Sequence, residues 1–358
     1  MCILALADDM TGALEVGAKF SAGGIRTLVS AMASPSSSAS VLVLDTETRH
    51  ASPELASQEV RRFVLGSGAV NPRLIYKKTD STLRGNISAE LRALRELYPT
   101  WRIGYAPAYP ELGRTVKKGV LYVNGVPVAE TAYARDPIDP VHTSSVPEIL
   151  GPSLACTIFD GEADRDLAEV ARTILSDSGM RIAAGPAGLA GMIAEQIDLP
   201  RGSPAPMPAV RRCLVFNGSL HEQSAIQMQR ALGEGCIALE YGSAWRILKC
   251  DDQSRGTPAQ VANENAKLLL EQIIASEPDA VLVIGGDTTF AVVAALGLPP
   301  LLPIGEVVPG VPVTRIENQQ LTPLLPRRRR DLLLITKAGG FGGADVLCRV
   351  RQRLDHDA

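Results

Sequence analysis

ILALADDMTGALE, Ile3 to Glu15, starts as an apolar run of strand length, breaks at two aspartates, and passes through Thr11-Gly12 into a segment of helical character. Runs of similar length recur at Val41 to Leu44, Leu74 to Tyr76 and Ile103 to Ala106, each followed by a stretch of helical period. That alternation predicts βα units around a parallel sheet. SAGG, Ser21 to Gly24, reads as the C-cap of the first helix, and ISAELRALREL, Ile87 to Leu97, as a helix that stops before Pro99. LYVNGVPVAE, Leu121 to Glu130, places Asn124-Gly125 between β-prone flanks and predicts a type I′ hairpin. A strand over Cys156 to Phe159, a helix over Asp164 to Ser178 and the segment Arg181 to Ile197 complete this half.

LPRGSPAPMPAV, with prolines at 200, 204, 206 and 208, is the expected linker. The pattern then restarts with CLVFNG at Cys213 to Gly218, a helix through Arg230, a long helix over Ala259 to Ser276, AVLVIGG, and LLLITKAGGFGG. The expected division is a first domain over 1–199, a linker over 200–209 and a second domain over 210–358. No repeat of fixed period interrupts it.

The chain has 358 residues, 46% hydrophobic and 21% charged, which suits two hydrophobic cores. A formal charge of -3 and a pI of 5.9 give no bulk attraction to nucleic acid or to an anionic membrane, so anions must be captured at local sites. RRRR, Arg327 to Arg330, follows a proline and reads as a solvated turn rather than a nucleic-acid patch. The cysteines at 2, 156, 213, 236, 250 and 348 are widely separated with no C-x-x-C pair, so neither zinc nor a redox motif is indicated and reduced core residues are expected. The N-terminus lacks a basic, apolar leader, and no window has the length of a spanning helix; the expected compartment is cytoplasmic.

Candidate chemistry sits at strand ends, where open α/β sheets bind ligands. Asp8 and Asp9 follow the first strand; one aspartate there is a helix cap, and two exceed what a cap requires. DTETR puts Asp45 and Arg49 after the second cluster, and YKKTDSTLRGN puts Lys77, Lys78, Asp80, Ser81, Arg84 and Asn86 after the third. A guanidinium that grips carboxylates and a mobile lysine suit a small hydroxylated acid, although any one of these residues alone reads as a surface salt bridge. In the second domain Gly285-Gly286-Asp287-Thr288 opens a helix after a buried strand, and Lys337 to Gly343 repeats the device. Such turns grip phosphate through free N–H groups, yet neither is a Walker loop or a clean G-x-G-x-x-G, and each alone also reads as tight βα packing. Ser219 stands at a third strand end, where capping is the default, beside His221; His50, His142, His221 and His356 give no basis for a hydrolase triad or a metal site.

ADDMTGA, YKKTDSTLRGN, GRTVKKGVLYVNGVPVAET, the GGDTT turn and the TKAGGFGG turn, in this order along nearly the whole chain, resemble the four-carbon acid sugar kinase family. The resemblance implies an α/β fold of two domains with mainly parallel sheets, an acid-binding domain first, a nucleotide-binding domain second, and the ligand site in the cleft between them. It implies an ATP-dependent kinase, with Mg²⁺, that phosphorylates a threonate- or erythronate-type acid on a terminal hydroxyl. By motif, Arg49, Lys78, Thr79, Asp80, Ser81 and Arg84 are the acid-binding set. Ser219, Gly285, Gly286, Asp287, Thr288, Gly339, Gly340, Phe341 and Gly342 are the ATP set. Asp8 and Asp9 are the catalytic candidates, the motif leaving open which of them is the base.

Two positions depart from the family's usual pattern. His221 stands where a serine is usual, and Gly340 where an asparagine is usual, each removing a polar contact from the nucleotide side. The partners expected are a sugar acid and ATP, with no nucleic acid and no membrane, and self-association is left open. The alternative is a non-catalytic sensor of acid and nucleotide. A Rossmann oxidoreductase fits the fold but lacks the dinucleotide fingerprint.

Overall fold

The structure, a computed structural model, describes residues 2–35, 38–69, 71–136, 138–248, 257–325, 328 and 330–355. Cys250, the stretch after Asp251, Arg327, Arg329 and His356 lie outside the described residues. The chain divides into two compact units, Met1–Ser203 and Pro204–Ala358.

In the first unit the strands are β1 (Ile3–Ala7), β2 (Thr27–Ser30), β3 (Val41–Asp45), β4 (Leu74–Lys78), β5 (Ile103–Tyr105), β6 (Arg114–Lys117), β7 (Val120–Val123), β8 (Val126–Pro127), β9 (Cys156–Ile158) and β10 (Ile182–Gly185). Seven of them form one sheet in the order β2-β3-β1-β4-β10-β5-β9, parallel at every pairing. The strands β1, β3 and β4 are buried along their whole length, as a parallel sheet covered on both faces requires. The helices are α1 (Met10–Ala22), α2 (Pro53–Gly66), α3 (Ile87–Leu97), α4 (Val146–Leu150), α5 (Asp164–Ser176) and α6 (Ala187–Gln196). Strands β6 to β8 form a small antiparallel sheet, in which Asn124 and Gly125 both take positive φ (50° and 83°), the type I′ signature.

The second unit has β11 (Cys213–Asn217), α7 (Glu222–Gly233), β12 (Trp245–Leu248), α8 (Pro258–Ser276), β13 (Ala280–Ile284), α9 (Gly286–Ala295), β14 (Leu302–Val308), β15 (Val311–Ile316), α10 (Asn318–Leu321), β16 (Leu332–Lys337) and α11 (Val346–Leu354). Its sheet runs β12-β11-β13-β16-β15-β14, parallel through β16 and antiparallel beyond it. One core cluster includes Val215, Trp245, Leu282, Val313, Ile335 and Leu347.

Two sequence expectations are corrected here. Cys236 and Cys348 are bonded as a disulfide, because the loop after α7 and helix α11 bring their Cα atoms to 5.3 Å although 112 residues separate them. Of the remaining described cysteines, Cys213 is buried while Cys2 and Cys156 are half-buried. Arg328 is not solvated: it is 5% exposed, and its guanidinium donates to the carbonyls of Arg330, Pro278 and Asp331 at 2.8, 2.9 and 2.7 Å. No described helix is long and apolar enough to cross a membrane.

Candidate functional site

In the first unit β3, β1 and β4 are neighbours, so the segments after them meet on one rim. The loop after β3 folds onto β1 because the N–H groups of Thr48 and Arg49 donate to the Asp8 carbonyl at 3.0 and 3.1 Å. That places the Arg49 side chain among three aspartates. Its Nε and Nη2 donate to the two oxygens of Asp8 at 2.8 and 2.9 Å, Nη2 also reaches Asp9 Oδ1 at 2.6 Å, and Nη1 lies 3.9 Å from Asp80 Oδ1. Asp9 meanwhile caps α1, accepting from the Gly12 N–H at 3.1 Å and from the Thr11 hydroxyl.

These contacts set the titration of the site. Burial alone would raise the Asp8 carboxyl, but Arg49, with Lys77 and Lys78 behind it, brings it down to about 2. Asp80 is likewise buried yet held well below the usual range by Arg84 and then Arg49; Arg84 meets it through Nε at 3.1 Å and Nη2 at 2.9 Å. Asp45 goes the other way. Burial, and then the charge of Asp9, push it up to about 7. Glu47 (φ 48°) and Leu83 (φ 68°) hold left-handed backbone in the two loops, strain of the kind that gathers at functional rims.

Sequence reading placed Lys77 and Lys78 beyond the strand; both belong to β4, and strand alternation sends them apart. Lys77 is fully buried, with Nζ 3.0 Å from Glu90 Oε2 and donating to the Lys78 carbonyl at 2.8 Å. Lys78 is 4% exposed, and among the described residues its Nζ has neither a hydrogen-bond nor an ion-pair partner. Gly12 makes room for it: a Cβ there would lie 2.7 Å from Lys78 Nζ and 2.6 Å from Asp9 Oδ1. The Ser81 hydroxyl is buried without a partner, and Thr79 sits beside the Tyr105 phenol. Asn86 is structural, its Nδ2 donating to the Thr48 and Ala51 carbonyls at 2.8 Å each.

The second unit repeats the arrangement at the ends of β11, β13 and β16, also neighbours. Gly285 (φ 113°) is the N-cap of α9, so Gly286 and Asp287 stand in that helix's first turn. The turns interlock: a Cβ on Gly218 would strike Thr288, and one on Gly339 would strike Ser219. The cap of α7 is His221, whose Nδ1 accepts from the Gln223 N–H at 3.1 Å, not Ser219, whose Oγ accepts from the His221 N–H at 3.1 Å.

Around the last turn five carbonyls, those of Ala338, Gly339, Phe341, Gly342 and Gly343, are held by side-chain donors. Lys337 Nζ donates to the carbonyls of Ala338, Gly339 and Phe341 at 2.7, 3.1 and 3.1 Å. Gln227 Nε2 donates to those of Phe341, Gly342 and Gly343 at 2.8, 2.9 and 3.2 Å, and Gln223 Nε2 adds Gly342 at 2.9 Å. The Phe341 N–H turns back to Ala338 at 3.1 Å, whereas the N–H groups of Gly339, Gly340, Gly342 and Gly343 donate to no described residue. Free donors with tied carbonyls make an anion-binding nest, and this fits a polyphosphate. Among the described residues the close His/Cys/Asp/Glu group is Glu234, Cys236 and Cys348, two of them in the disulfide. Sequence reading missed Glu90, Gln223 and Gln227; glutamine and glutamate on helices carry no signal of what they face.

Two family models match, a sugar-binding N-terminal domain over residues 3–157 and a nucleotide-binding C-terminal domain over residues 246–347. The chain is 31% identical to a D-threonate kinase of Bordetella bronchiseptica, covering 98% of this chain and 96% of that one. It is 28% identical to a D-threonate kinase of Salmonella typhimurium (97% and 97%) and 27% to a 3-oxo-tetronate kinase of Methylobacterium radiotolerans (96% and 97%). A solved structure titled a putative tRNA synthase from Salmonella typhimurium shares the fold with a TM-score of 0.73 at 20% identity, over 99% of both chains. A domain of unknown function from Bordetella bronchiseptica, solved with bound citrate as a domain-swapped dimer, matches at 29% identity and a TM-score of 0.51, over 99% of this chain and 98% of that one. With full-length likeness to such kinases added to the two rims, the chain belongs to the four-carbon acid sugar kinase family.

Proposed function

We propose that the chain transfers the γ-phosphoryl group of ATP to the terminal hydroxyl of a four-carbon acid of the threonate or erythronate type. The observation that carries the acid side is Lys78: a nearly buried amine that makes no hydrogen bond and no close ion pair among the described residues, its charge felt only through space by Asp8 and Glu15, on the same rim as the buried, unpaired Ser81 hydroxyl. A carboxylate supplied by the substrate gives the ammonium the charge-assisted hydrogen bond that Asp8 and Glu15 do not make with it. Arg49 is already committed to Asp8 and Asp9, so its role is to fix their orientation, with Nη1 facing Asp80 at 3.9 Å. Thr79, Asp80 and Arg84 shape the wall behind the acid.

Asp9, with one oxygen shared between Arg49 and the Gly12 N–H, orients the attacking hydroxyl and receives its proton as the new O–P bond forms and the bond to the β–γ bridging oxygen breaks. On the nucleotide side the free N–H groups at Gly339, Gly340 and Gly342 and the first turn of α9 at Gly286 and Thr288 receive the phosphates, with Ser219, Asp287 and Phe341 around them, while Gly285 ties its own N–H to the Lys337 carbonyl at 3.0 Å and sets the turn. Mg²⁺, held through the phosphates of ATP, would supply the remaining neutralisation of the triphosphate.

A coupled ADP-release assay with ATP and Mg²⁺ across threonate, erythronate, 3-oxo-tetronates and glycerate tests the reading. Acid-dependent ADP release with one or more four-carbon acids is expected. Absence of turnover with every acid, alongside intact binding of both ligands, would instead identify the sensor alternative.

A further inference from the structure

Each unit carries a lysine at the end of a central strand, and both are buried. Lys77 has Glu90 at 3.0 Å. Lys337, 1% exposed, donates to backbone carbonyls, and among the described residues no carboxylate is paired with it. We propose that Lys337, seconded by Gln227, is a positioning residue that sorts the peptides of the glycine turn, and that the phosphates of a bound nucleotide supply the counter-charge its side chain lacks. The inference rests on the nucleotide reading of this unit given above.

Two things follow from the geometry. By drawing the carbonyls of Ala338, Gly339 and Phe341 to one point behind the turn, Nζ leaves the amide edges of Gly339, Gly340 and Gly342 facing away from it. A neutral amine has one acceptor lone pair and two hydrogens, so it cannot hold all three carbonyls; the turn is fully sorted only when Lys337 is protonated. The titratable groups on the elements around it are His221 and Glu222 at the start of α7, Asp287 in the first turn of α9 and Asp345 ahead of α11. None of them offsets burial, which alone brings Lys337 down to about 7. A polyanion at the amide edges favours the charged amine and reverses that shift, so nucleotide binding and protonation of Lys337 help one another.

The test is calorimetry of ATP with Mg²⁺, at a pH of about 8.5 where the nucleotide is already ionised, in two buffers of different ionisation enthalpy. The parent protein is expected to take up close to one proton per nucleotide bound. Lys337→Met removes that uptake and, at a pH of about 6.5, weakens nucleotide binding on the order of tenfold to a hundredfold, the worth of hydrogen bonds to a charged group. Lys337→Arg, whose guanidinium keeps its proton, binds without uptake and serves where the methionine variant does not fold. Gln227→Leu weakens binding but keeps the uptake. Nucleotide binding by the parent without proton uptake, or equal uptake by Lys337→Met, overturns the inference and leaves the kinase reading standing. No nucleotide binding by the parent overturns both.

Discussion

Asp8 and Asp9 adjoin in the chain but stand in different electrical surroundings. Asp8 gives both oxygens to Arg49 inside a buried site, and that pairing, against the upward push of burial, brings its carboxyl down to about 2. Asp8→Asn breaks this pairing and is expected to destabilise the protein by about 3–5 kcal/mol, read as a lower denaturant midpoint. Asp9→Asn loses one charged contact to Arg49 where Asp8→Asn loses two, and asparagine still caps the helix, so the loss of stability should be the smaller of the two, while turnover in the ADP-release assay falls by about 10² to 10⁴-fold with ATP affinity unchanged. Turnover within a few-fold of the parent for Asp9→Asn would remove it from the proton's path. The acidic pair and the lysines were legible in the sequence as a site. Their division of labour was not, because it depends on which partner arrives from β3 and α3. Arg49 reads in sequence as the hand that grips the acid, and only its three aspartates show that it is occupied.

At the scale of elements, the junction of β1 and α1 decides what the acid meets. The helix begins at Met10 and packs so close to β4 that Gly12 faces Lys78 with no room for a methyl group. Gly12→Ala meets only side-chain ends, which can move, and alanine favours the helix by up to about 1 kcal/mol. The variant is therefore expected to fold and melt within a few degrees of the parent while KM for the acid rises about tenfold or more and ATP affinity stays the same. An unchanged KM would mean that Lys78 does not meet the acid. Elements with long apolar runs were legible: β1, β13, β16 and the helix over Ile87–Leu97 fall where periodicity puts them. Strands β2 and β12 are short, and β14 and β15, rich in proline and glycine, pair antiparallel through a bulged register that no period announces.

The whole molecule is two units with unlike rims, one of paired aspartates and arginines with a lysine and hydroxyls, the other built from backbone amides. Since each ligand binds only folded protein, ATP with Mg²⁺ should raise the melting temperature of unit Pro204–Ala358, and the productive acid that of unit Met1–Ser203, each resolved by calorimetry. Stabilisation by one ligand type alone across the acid panel would contradict two separate sites. The units differ also in how their chain is closed. Between Cys236 and Cys348 the second unit is a covalent ring that contains β12 to β16 and both glycine turns after β13 and β16. A protease that cuts once inside this ring opens a loop but releases no fragment, so the severed backbone stays one molecule for as long as the bridge is oxidised.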